Sequence, residues 1–453
     1  MEEVNIIGKI GKKDVFWSLL ANVLRIGYGL LLFPLILRAL PNEDVAFWTI
    51  FSSITALVYL FDFGFSAAFS RNVSFVFSGV QKLKEEGFHT PADNGKEINF
   101  SLLKGVIFSM RFFYRRLAFI VLLGLLTIGT FYIHTLLKSY SGNANEIYAA
   151  WFLLCIICTF NIYTLYYEAL LQGKGYIKTS KQYAIIGNLV NLAVAIILIL
   201  SGQRLIAIVM AQLCSILIIR FLCRRKFFTK EIQHHLSKVE AVTKAETLRK
   251  IAPNAIKIGL TSIGGYAVLK SALFIGSLFL PLNDIASYGI TMQIIAIADS
   301  IGKSFYQSYN PRICQLRVHN DKKETKKLYI KSSIFCIMTF SIVALCTILC
   351  GEPILHLIKS NTELLPQNML IFSFLFAWLE ANHSIAGGFL LADNEVPYFK
   401  ASLFSGAATV VFLLAAFYTL PSYGVWIMIF VPGIVQLLYQ NWRWPYVLLK
   451  KLN

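Results

Sequence analysis

Apolar residues in this chain come in runs of about twenty, separated by short polar breaks, from one end to the other. Twenty helical residues at about 1.5 Å each cover the roughly 30 Å hydrocarbon core of a bilayer. The pattern predicts twelve spanning helices. In the first half they are 14–39, 45–70, 116–137, 147–171, 182–201 and 204–223. In the second half they are 252–280, 285–309, 329–350, 365–391, 400–420 and 423–447. The run PILHLI (353–358) is too short to span and reads as a loop or as the end of its neighbour. Pro34 and Pro432 fall inside spans, where a missing N–H frees a carbonyl and permits a bend.

Composition turns this pattern into a class. Of 453 residues, 57% are hydrophobic and only 15% charged, and the mean hydropathy is +0.63. A water-soluble chain of this length needs far more polar surface. The expected fold is therefore an all-α membrane protein, with no soluble domain large enough to fold alone. It divides into an N-terminal lobe (1–223), a cytoplasmic amphipathic connector (224–251) and a C-terminal lobe (252–453).

The formal charge of +18 matters through its placement. With the N-terminus inside, 34 of the 42 Lys and Arg residues fall in inner segments. The outer segments hold Arg38, Lys138, Arg204 and Lys359 alone. This asymmetry is the positive-inside rule, and it puts both termini in the cytoplasm. It also excludes a nucleic-acid partner, which would need basic and aromatic residues interleaved on one soluble face. The basic inner segments 71–111 and 221–251 are expected to lie along the membrane surface and meet anionic lipid. The polar start MEEVNIIGKIGKK precedes no cleavage site, so the first helix is read as part of the mature protein. The eight cysteines lie mostly in apolar runs; Cys155 and Cys158 have CxxC spacing but sit within a span, a packing position.

The chain also repeats itself. LPNEDVAFWTI (40–50) and LPLNDIASYGI (280–290) share Leu40/Leu280, Pro41/Pro281, Asp44/Asp284, Ala46/Ala286 and Ile50/Ile290. Ile26-Gly27-Tyr28 matches Ile263-Gly264-Gly265-Tyr266, and LLQGKGYIK (170–178) occupies the same inner turn as LLADNEVPYFK (390–400). Two six-helix halves of equal polarity relate by an axis along the membrane normal, an arrangement that puts substrate between repeats.

Charge within spans is expensive, about 2.5–3.5 kcal/mol at the bilayer centre, so each such residue is a candidate for function. Arg25 lies about 17 Å into the first helix, near the midplane. Lys270 falls in the middle to outer part of the seventh, and Asp299 and Glu380 somewhat inside the midplane of the eighth and tenth. Asp62, Glu168, Lys257 and Lys303 lie nearer the cytoplasmic ends, where lysines can snorkel to the interface. Asp299 and Lys303, four apart, can neutralise one another. Asp62, in LFDFGF, either braces local packing or serves transport. Glu380 and His383 share a helix face, fit either for proton relay or for a hydrogen bond between packed helices. The candidate set is thus Arg25, Lys270 and Lys303 as cavity cations for an anionic substrate. Asp62, Asp299 and Glu380 are candidate acids, for a coupling H+ or Na+ or for structure.

No Walker A loop, HExxH or GxSxG supports catalysis, and no metal or cofactor is implied. The outer loops are too short for an extracytoplasmic polymerase or ligase. The 2–3 connection lacks the short Gly…Asp-Arg…Arg pattern of a major-facilitator transporter. A resemblance sharpens this. Residues 33–74, with Asp62-Phe63-Gly64-Phe65 and Arg71, together with 170–178 and YGVWIMIFVPGIVQLLYQNWRWP (423–445), resemble the Wzx-type polysaccharide flippases of the multidrug/oligosaccharidyl-lipid/polysaccharide exporter superfamily. The resemblance implies a V-shaped pair of six-helix lobes around a cationic cavity lined by the first, second, seventh and eighth helices. It further implies export of an undecaprenyl-pyrophosphate-linked repeat unit (an O-antigen unit, for example) across the bacterial inner membrane by alternating access, alongside polysaccharide-assembly proteins. The stretch 82–97 departs from that family as an insertion. The competing reading is a cation-coupled drug exporter of the same fold, whose cavity should be richer in acids.

Overall fold

The computed structural model describes residues 31–80, 98–241, 244–307, 321–391 and 397–453, with a few isolated positions besides, and for 244–258 the backbone course alone. The protein is all-helical within these residues. We number the helices α1 (31–39), α2 (Asn42–Leu60), α3 (Phe65–Phe77), α4 (Phe100–Leu137), α5 (Ala144–Gly173), α6 (Ile177–Leu200) and α7 (Leu205–Phe227). There follow α8 (Lys230–Lys238), α9 (Lys244–Phe279), α10 (Leu282–Gln307), α11 (Lys322–Leu357), α12 (Gln367–Leu391), α13 (Phe399–Thr419) and α14 (Val425–Leu452). Eleven of the described helices are long and apolar enough to cross a membrane: α2, α4 to α7, and α9 to α14. The first expected span, 14–39, falls largely outside the described residues.

Two boundaries correct the sequence reading. The second span does not run unbroken through 45–70. Helix α2 ends at Leu60, and the chain turns through Phe63 and Gly64, both with φ in the left-handed region, before α3 begins at Phe65. The third span starts at Phe100, not 116, because Asn99 caps it by accepting a hydrogen bond from the Leu102 N–H at 2.9 Å. PILHLI is the end of its neighbour, one of the two readings the sequence allowed: α11 continues through Pro353 to Leu357.

The repeated Leu-Pro turn has one local structure in both copies. Leu40 N–H closes the first helix on Ile36 O at 2.9 Å, and Val45 N–H opens the next on Pro41 O at 3.1 Å. Leu280 N–H bonds Gly276 O at 2.9 Å and Ile285 N–H bonds Pro281 O at 3.3 Å. Proline ends one helix and begins the next because it lacks the N–H that continuation requires. Surroundings then diverge: Asp44 is 1% exposed and accepts a hydrogen bond from Tyr140 Oη at 2.6 Å, whereas Asp284 is exposed.

The chain packs into two compact units. The described residues of one fall within 1–32, 54–134 and 143–259; those of the other fall within 33–53, 135–142 and 260–453. The core of the second unit gathers Phe340, Phe374, Phe389, Trp444 and Leu448 among its buried residues. The outer ends of the first two helices belong to it: Tyr266 Oη donates to Ser53 O at 2.6 Å, and the Asn361 side chain donates to Leu40 O at 3.0 Å. Both units leave many large apolar side chains exposed, Leu200 and Phe404 among them, as the lipid-facing surface of a membrane protein requires.

Candidate functional site

Within the second unit, five helices turn one stripe each toward a cavity of about 360 Å³. Helix α9 contributes Thr261, Gly265, Leu269 and Lys270, and α10 contributes Met292, Ile295, Asp299 and Lys303. Helix α12 adds Ala377, Glu380, His383 and Gly387, α13 adds Ser402, and α14 adds Gln436, Gln440 and Trp444. These spacings of three and four keep each set on one helical face.

Four of the six candidate residues meet here. Lys303 Nζ lies 2.7 Å from Asp299 Oδ1, so that pair cancels its own charge. Lys270 lines the same cavity, and among the described residues it has no carboxylate partner and no hydrogen bond. Glu380 Oε2 accepts a hydrogen bond from Gln436 Nε2 at 2.9 Å and lies 3.5 Å from His383 Nδ1. His383 Nδ1 also donates to Asn441 Oδ1 at 2.9 Å. Among the described residues, the cavity therefore presents one cation without a carboxylate partner, one neutral ion pair, and a carboxylate beside an imidazole.

Asp62 stands in the other unit. Its carboxylate accepts hydrogen bonds from the Ser66 N–H at 3.1 and 3.2 Å and from Tyr114 Oη at 2.6 Å. It thus holds the first turn of α3 against α4. Arg25 lies outside the described residues, as does the Lys257 side chain.

Sequence reasoning passed over the row on α14. Trp444 Nε1 donates to Gln440 Oε1 at 2.9 Å. Gln440 Nε2 donates to Gln436 Oε1 at 3.1 Å and to Ser405 Oγ at 3.0 Å. Gln436 Nε2 then donates to Glu380. Every donor in the row points the same way, toward the carboxylate, so each bond polarises the next. The signal was present in the sequence as two glutamines and a tryptophan four apart in an apolar run. Gln440→Leu is expected to lower unfolding stability by about 2 kcal/mol, because it orphans the buried Trp444 N–H. Unfolding titration in detergent checks this, with Gln440→Glu retaining an acceptor for Trp444 as the milder variant.

A second buried polar cluster gathers around Glu168, the one member that the sequence singles out. Arg220, counted with the cytoplasmic segments by the positive-inside pattern, lies within α7 and is 6% exposed. Its guanidinium donates to Glu168 Oε2 at 3.1 Å and to Asn161 Oδ1 at 2.7 Å, both on α5. Asn161 in turn donates to Tyr59 Oη on α2. Gln172 Nε2 donates to Glu168 Oε1 and to Ser180 Oγ, each at 3.1 Å.

Membrane-length helices with charge gathered at an internal cavity define a polytopic α-helical membrane protein. Its fold is similar to that of solved membrane transporters, one of them a MOP-superfamily member. An inward-facing multidrug-resistance transporter of the MATE family superposes with a TM-score of 0.67 at 13% identity, over 95% of both chains. The MATE multidrug transporter DinF-BH, solved as a complex, gives 0.61 at 13% identity over 97% of this chain and 96% of its own. The lipid II flippase MurJ, in an inward closed conformation, gives 0.60 at 13% identity over 97% and 88%. No protein-family model matches the sequence, and no curated relative matches it. The likeness is one of fold, shared by drug transporters and a lipid flippase alike.

Proposed function

We propose that this protein is a transporter that flips a lipid-linked oligosaccharide, carried on a polyprenyl pyrophosphate, across the bacterial inner membrane by alternating access. The observation that carries the reading is Lys270. A lysine held in a membrane span without a partner is costly unless something anionic or aqueous reaches it. The neutral Asp299–Lys303 pair beside it leaves the ammonium, among the described residues, as the cation of the cavity without a carboxylate partner. A pyrophosphate is the complementary group, since its oxygens accept charge-assisted hydrogen bonds that water alone makes more weakly. In this reading Arg25 adds a second cation, and Glu380 with His383 carries the proton or Na+ that couples transport. Both termini face the cytoplasm, and polysaccharide-assembly enzymes supply and consume the lipid-linked unit.

The test is flipping of a fluorescent polyprenyl-pyrophosphate oligosaccharide in proteoliposomes. Lys270→Ala is expected to lower the rate at least tenfold at equal protein incorporation, and Lys270→Arg to restore most of it. Unchanged flipping in Lys270→Ala and in the Arg25→Ala/Lys270→Ala double variant would sink the assignment. One observation favours the drug-exporter alternative: two acids, Asp299 and Glu380, also line the cavity. Cation-driven efflux of a lipophilic cationic dye by a protein that fails to flip the lipid would transfer the assignment to that reading.

A further inference from the structure

We infer that the first unit carries a built site for the phosphodiester headgroup of an anionic phospholipid, at the basic end of its spans. The site is a surface cavity of about 370 Å³ between the start of α4, the end of α7 and the short helix α8. Lys104 and Arg111 from α4 and Arg224 from α7 line it, with Phe108, Phe228 and Leu236 among the apolar lining. Among the described residues, no acid lines it.

Helix α8 makes the pocket. Thr229 caps it, accepting from the Ile232 N–H, and Ile232 is buried. Lys104 Nζ donates to Val239 O at 2.6 Å, Ser101 donates to Glu240 O, and Phe100 stacks on His235 with centroids 4.5 Å apart. These contacts hold α8 across the start of α4. The Arg111 guanidinium lies over the Tyr166 and Phe228 rings, 5.7 and 5.6 Å from their centroids. Such stacking fixes the plane of a guanidinium while leaving its edge N–H groups to donate. Among the described residues, neither Arg111 nor Arg224 has a carboxylate within ion-pair distance. Among the described residues, the nearby acids Glu231 and Glu240 are exposed and do not line the cavity.

Depth selects the ligand. The apolar span Leu205–Phe227 ends at this point, putting Arg224 and Phe228 at its boundary. Helix α4 has 38 residues, about 57 Å, far more than the hydrocarbon core needs. Its first turns, Lys104 included, therefore project beyond the core on the same side. Two arginines and a lysine at headgroup level, rimmed by aromatic and aliphatic side chains, match a phosphodiester with acyl chains below it. A free phosphate would use the cations but leave the apolar rim uncovered.

Native mass spectrometry of the full-length protein tests this. The purified protein is incubated with phosphatidylglycerol or phosphatidylcholine, with or without millimolar inorganic phosphate. The wild type is expected to retain one phosphatidylglycerol more firmly than phosphatidylcholine, and inorganic phosphate should not displace it. Arg111→Gln/Arg224→Gln should weaken that retention at least fivefold. Lys230→Gln/Lys238→Gln, which removes the same charge outside the cavity, should not. Ser237→Glu, an exposed change that brings an acid to the lining, should reproduce the loss and decides the matter if the double arginine variant does not fold. Equal loss in both double variants, displacement by inorganic phosphate, or undiminished retention in Ser237→Glu would each overturn the site.

Discussion

Gly264→Ala removes the folded protein from the membrane, whereas Gly265→Ala, one residue on, leaves it intact. That is the expected result for two adjacent glycines of α9. A Cβ on Gly264 would stand 2.5 Å from the Ser402 carbonyl oxygen and 2.6 Å from its carbon, both backbone atoms of α13. From the other side, a Cβ on Gly406 would meet Gly264 O at 2.8 Å. Side chains can swing away from an intruding methyl group, but a helix backbone moves only if the whole helix moves. Overpacking commonly costs about 1–3 kcal/mol where side chains yield, and more where they cannot. Ser402 Oγ also donates to Thr261 O at 3.1 Å, a bond lost when the helices part. Close approach through small residues holds membrane helices together, because lipid removes most of the hydrophobic drive between them. Gly265 has nothing within 4 Å of its Cβ position, so alanine there gains up to about 1 kcal/mol of helix propensity. Membrane abundance and monodispersity in detergent, measured for both variants, check the contrast. Equal behaviour of the two would refute the close crossing of α9 and α13.

Arg220→Met is the second substitution with a large expected effect, a loss of about 3 kcal/mol. Removing one partner of a buried ion pair costs about 3–5 kcal/mol, because the other charge stays behind unpaired. Glu168 is 32% exposed, so water relieves part of that penalty and the lower end applies. Asn161 loses its donor as well, and with it the link that joins α7 through α5 to Tyr59 on α2. The same principle predicts a rescue: Arg220→Met/Glu168→Met should recover much of the stability, since no charge is then stranded. Thermal unfolding of the four proteins in one detergent gives the double-mutant cycle. A double variant no more stable than Arg220→Met alone would mean that Arg220 acts through packing and not through the pair.

Much of the candidate site could be read from the sequence because charge inside an apolar run is conspicuous. Lys270, Asp299, Lys303 and Glu380 stood out on that ground alone, and all four line one cavity. The neutralising pair Asp299–Lys303 was legible too, since a spacing of four on a helix fixes the neighbour. Gln436, Gln440 and Trp444 were harder to see. Uncharged polar residues are cheap enough in a membrane to pass as packing, and their sequence does not show which carboxylate their donors face. Arg220 counts toward the inner basic residues although it falls within the predicted span 204–223; the helix holds that charge inside, paired across to α5.

The sequence by itself determined that the chain is built of membrane-length helices, where the Leu-Pro turns fall and the asymmetry of basic residues. All of these follow from the order of apolar and polar residues along one strand of chain. Tertiary structure alone decided which charges are paired, which of two neighbouring glycines is indispensable, and that residues 33–53 pack with the second half of the chain. Those outcomes depend on the rotation and offset of one helix against another. Such quantities are set by side chains far apart in sequence, and no local periodicity records them.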